Sequence, residues 1–198
     1  TPHRVIHNGF DPAFFTADPA GKKENSFIAV AHAQEMQRVR IKGIDLVILL
    51  AKRFTNCTFT LVGVSDSLNR ELSPLPSNLS VYPWMSKEKF IGHLAESRFV
   101  LQLSVSEGFP NALCEAMLCH CIPVGSAVGA IPSIIANTGF VIASPEWEYL
   151  EKRFEEILHT GAEEQHRLGI MARNRVADMY HISRREKAFL EILDEIPG

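Results

Sequence analysis

The stretch Ser106-Glu107-Gly108-Phe109-Pro110-Asn111-Ala112-Leu113-Cys114-Glu115-Ala116-Met117 sets two carboxylates on either side of a turn that opens a helix. Such a turn is an anion site. The first N–H groups of a helix have no partner within it, and the aligned peptide dipoles add partial positive charge at that end. A carboxylate on each side can accept hydrogen bonds from hydroxyls attached to a bound phosphate. A nucleotide diphosphate sugar has that layout: a ribose diol at one end, a pyrophosphate in the middle and a sugar polyol at the other. Gly108 lets backbone approach a ligand closely, while Phe109, Pro110 and Asn111 would offer main-chain groups to the phosphates. Taken singly, Glu107 reads as a solvated loop acid and Glu115 as ordinary complementation of the helix dipole. Within one motif those readings lose ground.

The elements that must position these residues are legible from apolar patterning. Ser26 to Ala31, Thr58 to Val64, Leu79 to Tyr82, Phe99 to Ser104 and Ile122 to Gly125 read as strands, with amphipathic segments between most of them. That alternation predicts an α/β fold, a Rossmann-like parallel sheet with helices on both faces. Ile44, Val47, Ile48 and Ala51 recur at helical spacing, as do Phe90, Ile91 and Leu94 behind an expected N-cap at Ser86. From Glu146 onward the pattern is helical and ends with an expected capping box, Ser183-Arg184-Arg185-Glu186. Ligands of open parallel sheets lie outside the carboxyl ends of the strands. The tips after Ala31, Tyr82 and Ser104 therefore carry the candidate residues.

The two-glutamate pattern resembles the Glu-x7-Glu signature of retaining glycosyltransferases of the two-domain GT-B fold, the glycosyl transferases group 1. Asn8-Gly9-Phe10-Asp11 resembles that family's interdomain linker, Lys42-Gly43 its phosphate-binding lysine and glycine, and Pro123-Val124 and Val128-Gly129-Ala130-Ile131-Pro132 its later strand and glycine turn. The resemblance implies the C-terminal, donor-binding half of such an enzyme. Residues 1–198 would form one domain, with 1–25 as interdomain linker and lead-in segment, 180–198 as a helix crossing back toward the other half, and the N-terminal acceptor domain absent. The opening at Thr1 without Met agrees with a piece of a longer polypeptide.

The resemblance also implies roles. Glu107 would contact hydroxyls of the donor sugar, Glu115 would hold the ribose, and Lys42 would neutralise the departing diphosphate. Gly129 would bring backbone to the sugar or phosphate, although a tight turn alone accounts for a glycine there. Tyr82, Pro83 and Trp84 lie where the family binds the base, and an aromatic at a strand end is as readily a core residue. The family usually adds an arginine just after the first strand. Here Ala31-His32 stands in that place, and a long insert carries Gln34, Glu35, Arg38 and Arg40. His32 could donate a hydrogen bond in its stead. An arginine of the insert, Arg38 or Arg40, is favoured because a guanidinium keeps its charge and forks onto phosphate oxygens. His120 stands where small residues are common and reads as a buried, satisfied histidine, and Ser133 stands where the family often has Glu.

Composition narrows the partners. The 198 residues carry 46% hydrophobic and 22% charged side chains, enough for one domain with a substantial core. A formal charge of −3 and a pI near 6.2 argue against a nucleic-acid surface. No apolar run reaches the ~18 residues of a membrane span and no signal peptide is visible, so the chain reads as cytoplasmic, or at the cytoplasmic membrane face in a full-length protein. Cys57, Cys114, Cys119 and Cys121 lack zinc-site spacing and read as reduced core residues. No Asp-x-Asp occurs, so no metal site and no cofactor are expected. The expected partners are a UDP- or GDP-linked sugar and, through the missing domain, a carbohydrate or lipid-linked acceptor. A nucleotide-sugar epimerase or hydrolase of the same fold, and a degenerate domain that binds no nucleotide, are the alternatives.

Overall fold

A computed structural model describes residues 5–194. Residues 1–4 of the expected linker and 195–198 of the expected crossover helix lie outside the described residues. The chain runs β1 (Ser26–Ala33), α1 (Met36–Ile41), α2 (Ile44–Arg53), β2 (Thr58–Val64), α3 (Asp66–Leu72), β3 (Leu79–Tyr82), α4 (Lys87–Glu96), β4 (Phe99–Gln102), α5 (Asn111–Leu118), β5 (Ile122–Ser126), α6 (Ile131–Ile135), β6 (Phe140–Ile142), α7 (Trp147–Leu158), α8 (Ala162–Met179) and α9 (Ile182–Asp194). The strands form one parallel sheet in the order β3-β2-β1-β4-β5-β6. The direction of winding reverses between β1 and β4. That switch point is where open α/β sheets bind ligands.

Strand alternation divides the core in two. Phe27, Phe59 and Phe99 point to one face, where Phe154 of α7 joins them with ring centroids 4.6 Å from Phe27. Ile28, Val62 and Val100 point to the other, against Leu113 and Met117 of α5 and Ala172 and Val176 of α8. The four cysteines are buried free thiols, and burial pushes Cys57 up to about 11 and Cys119 up to about 12.

The expected strands β2 and β3 are found with the bounds read from sequence, and Ser86 caps α4 as expected. β1 continues to Ala33 past an irregularity in its pairing with β2. β4 stops at Gln102 instead of Ser104, because Leu103 turns to lie under Gly43, where its carbonyl oxygen is 2.2 Å from the place a Cβ would occupy. β5 continues to Ser126 because it pairs with β6, a three-residue strand that patterning did not reveal. The insert after β1 folds largely into α1 around the buried Val39. The expected capping box is displaced. Ser183 already lies within α9, and its N–H donates to Nδ1 of His181, which acts as the cap.

The stretch read as linker-like, 8–25, packs against the body. Phe10 and Phe15 are buried, Phe10 exchanges backbone bonds with Tyr180 and Ile182, and Arg173 donates to the carbonyls of Pro12 and Phe15. Lys22 is buried, with its ammonium on the Leu94 carbonyl at 2.6 Å.

His120 corrects another expectation. It follows the last turn of α5 at φ +62°, and its N–H and that of Cys121 bond back to Met117 and Ala116. This is a Schellman ending with histidine where glycine is usual. The residue is only partly buried, and Nδ1 is closed from solvent without a partner among the described residues. Burial first, then the charges of Arg173, Lys22 and His166, hold its imidazole below the ordinary histidine range. A depressed histidine leaves the unfolded chain binding more protons below pH ~6.5, so stability is lost as pH falls through that value. His120→Gly should therefore raise unfolding stability by about 1 kcal/mol at pH 7.5, from relief of the left-handed backbone, and by more at pH 5.5. Denaturant melts at the two pH values check it; an equal or lower stability at both would show that the ring's packing outweighs the strain.

Candidate functional site

Three loops meet at the carboxyl edge of the sheet, and they meet backbone to backbone. Lys42 ends α1, and Gly43 follows at φ +68° against Leu103. The Val105 N–H donates to the Ile41 carbonyl at 3.0 Å, tying this loop to the one after β4. On the far side Gly129, at φ +53°, brings the β5–α6 loop so close that a Cβ there would sit 1.8 Å from the Glu107 carbonyl oxygen. The Ala130 N–H donates to the Gly108 carbonyl at 3.0 Å. Only residues without a Cβ allow these approaches.

Between the loops Lys42 and Glu107 form an ion pair at 2.7 Å, with side chains 20% and 16% exposed. All the hydrogen bonds to this carboxylate reach one oxygen, Oε2, which accepts from Lys42 Nζ, from Ser104 Oγ at 3.4 Å and from Gln102 Nε2 at 3.5 Å. Among the described residues nothing donates to Oε1. Glu107 thus has one anchored oxygen and one open to a hydroxyl-bearing ligand.

Beside it α5 begins at Asn111 behind Pro110, with no side-chain cap on its amides. The Asn111 side chain is engaged elsewhere, accepting from Asn8 Nδ2 at 2.7 Å. Phe109 packs into an aromatic cluster, 5.0 Å from His7 and 5.2 Å from Tyr180. Both leave the turn's main chain as its binding surface. Glu115, one turn into α5, borders a cavity of about 240 Å³ with Phe15, Val62, Trp84, Met85, Lys87 and Phe90. Burial pushes its carboxyl above the usual range, and Lys87 only partly offsets that.

The structure brings Glu107, Lys42, Gly108 and Gly129 together, and Glu115 with Trp84. It separates others. Tyr82 turns onto His93, 4.7 Å between ring centres, and lines a different groove of about 560 Å³ with Pro83 and the outer side of Trp84. β3 ends at Tyr82, whose ring is held on His93, and Trp84, beyond the strand end, borders both spaces. His32 is exposed and meets Trp84 edge-on at 6.2 Å. Arg38 and Arg40 are exposed and make no ion pair among the described residues. Arg38 is four residues before Lys42 and shares its helix face, whereas Arg40 lies on the opposite side. Ser133 holds the Ala130 carbonyl at 2.8 Å.

Sequence reading missed Gln102, Ser104, Phe15 and Lys87. Lys87 carried a signal: it is the first residue of α4, where a cation opposes the helix dipole. Its ammonium lies 4.5 Å and 4.6 Å over the rings of Phe14 and Phe15. Phe15 carried none, because the residues it meets at the cavity lie far away along the chain.

Residues 16–175 match the family described as glycosyl transferases group 1, and the chain belongs to that family. It is 24% identical over 163 residues to a component of human phosphatidylinositol N-acetylglucosaminyltransferase, covering 78% of this chain and 33% of that protein. The fold is that of sucrose-phosphate synthase from Thermosynechococcus elongatus, with TM-score 0.82 and 17% identity over 97% of this chain and 52% of that one. It is also that of Anabaena HepE in its complex with UDP and glucose, with TM-score 0.79 and 18% identity over 98% of this chain and 57% of that one. The chain spans a third of the curated relative and about half of these solved chains.

Raised above its unfolded value, the Glu115 carboxyl weakens the fold as pH climbs through its folded pKa and does not weaken it below about pH 4. Glu115→Gln should accordingly raise the melting temperature at pH 7, with the gain fading toward pH 4. Scanning calorimetry across that range would contradict the assignment if the gain were the same at both ends.

Proposed function

We propose that this chain is the donor-binding domain of a retaining glycosyltransferase that uses a UDP- or GDP-linked sugar, without a metal ion. The observation that carries the reading is the Lys42–Glu107 pair beside the uncapped start of α5. A cation and a set of free amides face the space where a diphosphate would lie, with a carboxylate on each side for sugar and ribose hydroxyls. The relatives lend weight. HepE was solved with UDP and with UDP-glucose, and the human relative is a component of an N-acetylglucosaminyltransferase.

In this reading the nucleoside occupies the cavity by Glu115, with the ribose diol on that carboxylate and the base against Trp84 and Met85. The diphosphate lies along the α5 turn. Lys42 leaves part of its bond with Glu107 to neutralise the phosphate oxygens, and Arg38 reaches across from the same helix face. As the bond from the anomeric carbon to the diphosphate oxygen breaks, its electron pair passes to that oxygen, and the cation and helix amides stabilise the charge. Positive charge develops on the sugar ring, a new bond to an acceptor hydroxyl oxygen forms on the face the diphosphate leaves, and that hydroxyl's proton passes to the departing diphosphate oxygen. The acceptor itself would be held by a second domain. Phe189, Leu190 and Leu193 on α9 stand 48%, 62% and 61% exposed, an apolar row suited to such a neighbour.

Calorimetry of this chain tests the proposal. At least one of UDP, GDP and ADP should bind, equally with EDTA or magnesium, and saturation at ~100 times the dissociation constant should add roughly 2.7 kcal/mol to unfolding stability. Lys42→Ala should weaken the diphosphate far more than the uncharged nucleoside, Arg38→Ala should do so to a smaller degree, and Arg40→Ala should do little. Absence of binding by every nucleotide would overturn the reading in favour of a degenerate domain. Equal losses for diphosphate and nucleoside would remove Lys42 from the phosphate site.

A further inference from the structure

The anchored oxygen of Glu107 has a floor beneath it that the proposed reaction does not explain. Gln102 and Ser104 are buried polar side chains at the end of β4, 5% and 0% exposed. Gln102 Nε2 donates to Ser104 Oγ at 2.8 Å, and both reach Glu107 Oε2. Ser126 at the end of β5 donates to the main-chain oxygens of Ser104 and Gln102, fixing the backbone that carries them. Sequence patterning would place an apolar residue at Gln102, since β4 is a central strand covered on both faces. A buried amide there requires a partner, and this one donates to Ser104 Oγ at 2.8 Å and to the Glu107 carboxylate at 3.5 Å.

We infer that Gln102 and Ser104 are positioning residues that hold Glu107 toward the donor sugar after the diphosphate has drawn Lys42 away. In the unliganded chain Lys42 makes the shortest bond to Oε2. A diphosphate carries more negative charge than one carboxylate and lies beside α5, so it competes for the same ammonium. If Lys42 were the sole anchor, binding the leaving group would release Glu107 when the sugar needs it. Two neutral donors that the phosphates do not reach remove that conflict. They also confine the carboxylate so that Oε1, and not Oε2, faces the sugar hydroxyls. This inference rests on the proposed donor site.

The test compares UDP with the tightest binder among UDP-glucose, UDP-N-acetylglucosamine and, against GDP, GDP-mannose, by calorimetry on this chain. Ser104→Ala and Gln102→Met should each weaken the nucleotide sugar about five- to tenfold, a loss typical of one ordinary hydrogen bond and fitting the long contacts of 3.4 and 3.5 Å, while changing the bare diphosphate less than twofold. Ser104→Thr should restore sugar binding, because Ser104 also borders a cavity of about 130 Å³ with Leu103, Val105 and Val128 that can take the added methyl. Lys42→Ala serves as the contrast and should weaken both ligands. Equal loss of diphosphate and sugar in the Ser104 and Gln102 variants, or no loss of either, would overturn the inference. Failure of the unsubstituted chain to bind any bare diphosphate would instead overturn the donor site itself. Should Gln102→Met not fold, Ser104→Ala alone decides.

Discussion

The approach of three loops at main-chain distance is the constraint on which the site depends. Gly43 lies on the Leu103 carbonyl and Gly129 on the Glu107 carbonyl, each at a positive φ and each with no room for a Cβ. A side chain at either position would push one loop away from the next. The Lys42–Glu107 bond would then open, because it bridges the loops that these contacts join. Preorganised charge is useful only when its geometry is held before a ligand arrives, and here backbone packing does the holding.

Around that frame the molecule breaks several local rules, and the breaches gather near the site. Lys87 sits at the positive end of a helix, Glu115 is a partly desolvated acid, Gln102 is a buried amide in a central strand, and Lys42 and Glu107 form a largely covered ion pair. Each costs stability in the unliganded chain, since a covered ion pair gains little net of its desolvation. Departures from local consistency are expected where function constrains the sequence. The offset comes from the two cores. Four stacked phenylalanines on one face of the sheet, and α5 wedged between the sheet and α8 on the other, contain no such compromise. His120, a left-handed residue at the far end of α5, and Lys22, a buried cation on the Leu94 carbonyl, are exceptions that lie away from the loops.

The lead-in segment changes character once its contacts are known. Its Gly, Pro and Asp residues make it read as a tether, and locally they do form turns, with Asp11 and Asp18 each capping a short 3-10 turn. Yet Phe15 closes the Glu115 cavity and Phe14 and Phe15 hold Lys87. A segment at the start of the chain thus completes a pocket built mainly from residues seventy to a hundred positions later.

By itself the sequence determined the fold class, the bounds of five of the six strands to within two residues, and the motif from Glu107 to Glu115. These are local properties: alternation of apolar residues sets strands, and a glycine beside an acid ahead of a helix start sets an anion site. Pairings decided the rest. β6 is too short to show a period, and it exists because β5 offers an open edge. Tyr82 and Trp84 look equivalent in sequence, but β3 ends at Tyr82, whose ring packs on His93, and of the two only Trp84, beyond the strand end, reaches the Glu115 cavity. Likewise Arg38 and Arg40 differ only once the insert is known to be helical, because a helix turns two positions to opposite faces. That one oxygen of Glu107 is anchored and the other open depends on Lys42 from one loop converging with Gln102 and Ser104 at the end of β4. Such convergence has no signature along the chain, since nothing in the spacing of residues fixes the distance between loops that only packing brings together.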